Sequence, residues 1–136
     1  MTTQNLHTLP VRIYYEDTDA GGIVYHASYL RFAERGRTEM LRAAGFEHAQ
    51  LLKENGLAFA VASLTIDYRA PARLDDLLTV RTSITKVGGA SMEMSQIILR
   101  GLDTIAEIKI TLVCIDQNLK AVRLPAEIRN IFEATA

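Results

Sequence analysis

Asp19 stands two residues ahead of a Gly-Gly pair and seven ahead of His26, within VRIYYEDTDAGGIVYHASYLRF, Val11 to Phe32. The stretch reads as a strand, an acidic turn and the start of a long helix. That order sets a carboxylate beside a helix N-terminus, where backbone N–H groups lack partners and partial positive charge gathers. Such a pairing suits attack on a carbonyl. The carboxylate attacks or activates water, and the N–H groups hold the oxygen that turns negative. In a purely structural role the same aspartate would cap the helix or brace the turn.

The neighbours of Asp19 carry the remaining chemistry. Gly21 and Gly22 admit backbone angles and a close approach that a side chain would hinder, which makes Gly22 a candidate substrate contact. His26 falls just before the helix or in its first turn. The helix N-terminus disfavours imidazolium there, so a neutral donor is expected, with capping or an interface as the bland role. Tyr15 has a phenol able to donate to Asp19 or to a substrate, although strand tyrosines commonly pack instead. Tyr14 faces the other way. Glu16 and Asp17 read as solvated turn acids. These acids with one histidine form a weak metal pattern, and no metal is expected.

Farther along, Arg69 and Arg73 flank Pro71 in RAPAR, and Lys86 follows in a strand. Arginine forks suit phosphate oxygens, and ordinary surface charge is the alternative. There is no G-x-x-x-x-G-K loop, and Gly21-Gly22 lacks the dinucleotide spacing. Phosphates would therefore be met by scattered surface cations.

The positioning elements follow from periodicity. Val11 to Glu16 alternates as a strand, with Val11, Ile13 and Tyr15 on one face. A helix is expected from about Ala27 to Ala44, with Tyr29, Phe32, Ala33, Gly36, Met40 and Ala44 as its stripe. Gly36 costs about 1 kcal/mol against alanine inside a helix, which close packing on a sheet would offset. A shorter helix spans roughly Glu47 to Asn55. Strands are expected over Ala60 to Tyr68, Leu77 to Val87, Ser91 to Arg100 and the run through Ala106 to Cys114. Gly88-Gly89 makes a hairpin turn, and the third of these strands, the least regular, is expected to carry a bulge. Pro125 opens a last short helix. Consecutive strands with short turns imply an α+β domain, one antiparallel sheet of about five strands wrapped around one long helix.

Length and composition bound the rest. The 136 residues are 49% hydrophobic, which suits a single domain over 1–136 with a sizeable core. A net charge of −1 gives no sign of nucleic-acid binding. No run is apolar enough to span a membrane, and MTTQNLHTLP lacks the pattern of a signal peptide. Cys114, the one cysteine, lies in the apolar run ITLVCI and reads as core.

DTDAGGIVYHASYLRF followed by AERGRTEMLR resembles the YbgC-type acyl-CoA thioesterases, relatives of 4-hydroxybenzoyl-CoA thioesterase. The match continues through DYRAPARLDDLLTV, Asp67 to Val80, to the final strand. The resemblance implies a hotdog fold and hydrolysis of acyl-CoA or acyl carrier protein thioesters. Asp19 is then nucleophile or general base, the His26 N–H polarises the carbonyl, and Tyr15 acts near the site. It implies that Ser63 and Ser91 line the pocket, and that Arg69, Arg73 and Lys86 meet coenzyme A phosphates. It implies no metal or cofactor, coenzyme A being part of the substrate. It also implies a cytoplasmic enzyme of the Tol-Pal-associated type, a homotetramer of hotdog dimers with active sites between subunits. A hotdog hydratase or dehydratase, pairing histidine with an acid, and a non-catalytic acyl-thioester scaffold are the alternatives.

Overall fold

The computed structural model describes residues 6–135; part of the N-terminal stretch weighed above for a signal peptide lies outside the described residues. Five strands form one sheet: β1 (His7–Arg12), β2 (Ala58–Tyr68), β3 (Leu77–Val87), β4 (Ser91–Arg100) and β5 (Asp103–Ile115). Their spatial order is β1-β3-β4-β5-β2, and every neighbouring pair is antiparallel. The helices are α1 (Ser28–Ala43), α2 (His48–Asn55) and α3 (Ala126–Thr135). This is the expected α+β hotdog arrangement.

The alternating patterns explain the core. Leu78, Val80, Thr82 and Ile84 of β3, Met92, Met94, Gln96 and Ile98 of β4, and Ala106, Ile108, Ile110 and Leu112 of β5 are buried. On α1, Tyr29, Phe32, Ala33, Gly36 and Leu41 are buried. Leu41 thus takes the inward place expected of Ala44, which caps the helix.

Gly36 sets how closely α1 approaches. A Cβ there would lie 2.7 Å from Val80 Cγ1, 3.1 Å from Thr82 Oγ1 and 3.2 Å from Gln96 Nε2. The close approach lets the buried Gln96 amide donate to the Ala33 carbonyl at 2.8 Å and to Thr82 Oγ1 at 2.9 Å. The amide pins helix to sheet and leaves its own N–H groups satisfied.

Two expectations are corrected. The first strand is His7–Arg12, not Val11 to Glu16, and Tyr15–Asp17 forms a turn of 3₁₀ helix. Val11 and Ile13 are buried as the alternation requires. Ile13 then donates to the Asp76 carbonyl at 2.9 Å, and the Asp17 carboxylate accepts from the Tyr14 N–H at 2.8 Å, curling the chain. The other correction concerns the bulge. β4 itself alternates regularly, while register shifts place the extra residues at Ala62 of β2, Thr85 of β3 and Ile105 of β5. The Ala62 bulge leaves Val61, Ala62 and Ser63 all exposed on an edge strand that carries neither lysine nor proline.

Candidate active site

The turn between β1 and α1 is held by its own backbone. Thr18 and Val24 form a bridge, Asp19 N–H donates to the Ile23 carbonyl at 2.9 Å, and Gly22 N–H donates to the Asp19 carbonyl at 3.0 Å. Gly21 N–H donates to Asp19 Oδ1 at 2.8 Å, which aims the carboxylate. Gly22 has φ of +80°, a conformation that L side chains rarely adopt. Asp19 is exposed.

Asp17 ties this turn to the helix. It is not the solvated acid its sequence suggests but is buried, 5% exposed. Besides the bond from Tyr14, its Oδ1 lies 3.6 Å from Arg31 Nη2. Its carbonyl accepts from Tyr25 N–H at 2.9 Å and from Ser28 Oγ at 3.2 Å, and Arg31 in turn donates to Ser28 Oγ at 2.9 Å. Strand end, turn and first helical turn are therefore one unit. Glu16 is exposed as expected.

His26 precedes α1, and its N–H has no acceptor among the described residues. The Ala27 N–H is free as well. Free N–H groups at a helix N-terminus are suited to a developing oxyanion. The His26 ring lies 4.5 Å from the Tyr25 ring, and its carbonyl accepts from Tyr68 Oη at 2.9 Å. Burial pushes the Tyr68 phenol upward, so it stays a donor. Tyr68 also meets Tyr29, whose hydroxyl accepts from the Ala72 N–H at 3.2 Å.

The other predicted residues divide by position. Arg73 is brought to the turn through its bridge with Ile23, and its guanidinium has no ion pair among the described residues. Arg69 pairs with Glu107. Lys86 lies 3.9 Å from Glu93 at the far end of β3, and Ser91 starts β4 at the same hairpin. At about 3.3 Å per residue, β3 separates that hairpin from the Asp19 end by about 30 Å. Ser63 sits on the outer face of the sheet beside Thr65 and Thr111. Tyr15 is 83% exposed and makes no bond to Asp19. No cluster of metal-ligating side chains occurs among the described residues.

Sequence reasoning missed Asp17 and Tyr68. A buried acid at a turn carries no local signal when its cation, Arg31, lies on the following helix. Tyr68 is 42 residues from its acceptor.

Comparison with known proteins matches residues 21–107 to the thioesterase superfamily. The chain is 46% identical over 129 residues to "Acyl-CoA thioesterase YbgC" of Haemophilus influenzae, covering 94% of this chain and 95% of that protein. It is 49% identical over 121 residues to "Acyl-CoA thioester hydrolase YbgC" of Escherichia coli O6:H1, covering 88% and 90%. A probable thioesterase from Bartonella henselae has a crystal structure that superposes with a TM-score of 0.85 at 40% identity, covering 88% of this chain and 99% of that one. With the turn at Asp19 and the free amides at His26 already in place, this chain belongs to the thioesterase superfamily.

Proposed function

We propose that the protein is an acyl-CoA thioesterase, hydrolysing an acyl thioester to a carboxylate and a free thiol. One observation carries this: the Asp19 carboxylate, aimed by the Gly21 N–H, sits on the turn that leads into the free N–H groups of His26 and Ala27. The thioester carbonyl accepts from those N–H groups, which stabilise its oxygen as charge builds there. Asp19 then acts by one of two routes. It adds to the carbonyl carbon and expels the thiolate, leaving a mixed anhydride that water opens. Otherwise it takes a proton from water as the hydroxide adds and the thiolate leaves. The thiolate is a good leaving group, so no strong acid is needed. Tyr68 positions the His26 peptide from the edge strand, and Arg73 is the cation best placed for a coenzyme A phosphate.

The site lies open on a single chain. We place its missing wall on a second copy, paired through the bare edge of β2, and two such dimers in a tetramer. Long, unprotected edges favour such pairing. Lys86, Ser91 and Tyr15 are assigned to the substrate through that assembly. Acyl carrier protein is the alternative carrier. A cytoplasmic, Tol-Pal-associated role rests on the family resemblance. No helix among the described residues is long and apolar enough to cross a membrane.

The test is thiol release from short, long and aromatic acyl-CoAs with chelator present, for wild type and Asp19→Asn. Release by wild type alone is expected. Equal release by a folded Asp19→Asn variant would remove Asp19 from the mechanism. Sedimentation at several concentrations tests the assembly.

A further inference from the structure

Leu30, Glu34 and Thr38 recur every fourth residue on one face of α1, the helix whose N-terminus follows the free N–H groups of His26 and Ala27. That face leads to a cavity of about 270 Å³ between α1, the start of α2 and β2. Phe59 and Met94 give it apolar walls, and Glu34, Arg37, Thr38 and His48 bring polar groups to it.

Arg37 is the unusual member. It is half-buried, and no carboxylate among the described residues lies within ion-pair distance of it. Its Nη1 donates to Gln96 Oε1 at 3.0 Å. Gln96 is fully buried, and its Nε2 already serves Ala33 and Thr82. Turning the amide over would set its oxygen against the Ala33 carbonyl and its N–H groups against the Arg37 guanidinium, so its oxygen faces Arg37 and holds the guanidinium in place. Among the described residues most of the fork's donors have no acceptor.

The surroundings leave that charge under-compensated. Burial lowers the affinity of Arg37 for its proton, and the charge of Glu34 acts in the opposite sense but more weakly. Glu34 is exposed, so its field is screened. Partial burial and the charge on Arg37 also lower the His48 pKa, which favours the neutral imidazole.

We propose that this cavity is the acyl-tail subsite and that Arg37 selects acyl groups ending in a carboxylate, ω-carboxyacyl thioesters whose methylene chain lies on the apolar walls. The proposal rests on the thioesterase activity above. Along the helix, at about 1.5 Å per residue, Glu34 and Arg37 lie about 9–14 Å beyond Ser28, the first residue of α1, the reach of a medium or long chain.

The experiment measures kcat/KM by thiol release for matched pairs of donors: suberoyl- against octanoyl-CoA, dodecanedioyl- against lauroyl-CoA, tetradecanedioyl- against myristoyl-CoA. Wild type is expected to favour the ω-carboxyl member of the longer pairs by about tenfold or more, the scale of a charge-assisted hydrogen bond. In Arg37→Gln the ratio is expected to fall to about one. Arg37→Lys, the variant to use if Arg37→Gln does not fold, is expected to give an intermediate ratio. A wild-type ratio at or below one overturns the proposal while leaving the thioesterase intact, since the plain donors still react. If free myristate then inhibits strongly, the carboxylate at Arg37 is that of a free acid rather than of the substrate. An unchanged ratio in folded Arg37→Gln also overturns it, and no release from any donor sinks the activity and the subsite together.

Discussion

Removing the Asp17 carboxylate tests whether the catalytic turn is held as one unit. Asp17→Ala deletes the acceptor for the Tyr14 N–H, a 2.8 Å bond to a side chain that is 7% exposed. Leaving such a donor without a partner costs about 1–3 kcal/mol. The contact with Arg31 adds little, because it is 3.6 Å long and the Arg31 side chain is 51% exposed; about 0.5 kcal/mol is a fair allowance. Asp17→Ala should therefore lose about 1.5–3.5 kcal/mol. Asp17→Asn keeps an oxygen for Tyr14 and loses mainly the ionic contact, about 1 kcal/mol or less. Urea unfolding at pH 7 measures both, and thiol release from one acyl-CoA reports on the turn. Because Asp17 shapes the segment that carries Asp19, kcat should fall more in the alanine variant than in the asparagine one. Equal loss of stability in the two variants would refute the reasoning, since the bond to Tyr14 would then not be what matters.

Other outcomes follow from the same geometry. Tyr68→Phe keeps the ring against Tyr29 but loses the bond to the His26 carbonyl, so kcat should drop about threefold to tenfold with KM little changed, as steady-state kinetics would show. Gly36→Ala gains about 1 kcal/mol of helix propensity but drives a methyl group against Val80, an overpacking cost of about 1–3 kcal/mol. Net destabilisation is expected in urea, and a variant more stable than wild type would contradict the close approach. His48 has a folded pKa below its unfolded one, so the unfolded chain takes up its proton first as pH falls. Its contribution is present above about pH 6.5 and shrinks below it; His48→Gln should flatten the decline in melting temperature between about pH 6.5 and 5.

The strands were legible wherever alternation ended in a clear turn. β3 and β4 match their expected bounds because Gly88-Gly89 separates two alternating runs. α1 matches within a residue at each end, and the place predicted for Gly36 against a sheet is the one it occupies. β1 was misplaced because the alternation of Val11, Ile13 and Tyr15 continues past the point where the ladder stops. Ile13 is buried through a bond to a loop carbonyl rather than through a strand partner. The bulges were misassigned for a related reason: a bulge is a mismatch between two strands, and β4 on its own contains none. Asp19 and His26 were readable because turn and helix start are contiguous in the chain. Tyr68 and Arg37 owe their roles to partners on other elements, which local pattern does not encode; Asp17 accepts from Tyr14 within its own turn, and it is its burial that the local pattern hides.

The sheet order has a consequence for how the protein is made. Among the described strands β2 pairs with β5 alone, and the amide that pins α1 belongs to β4. As the chain leaves the ribosome, α1 emerges with Phe32 and Tyr29 uncovered, and β2 follows with no neighbour to join. Only the β1–β3 pairing can form before the last two strands are synthesised. The N-terminal half is therefore a nascent amphipathic segment with a bare edge, waiting for β5 to close the sheet. Chains stalled before Asp103 should be the ones that chaperones hold.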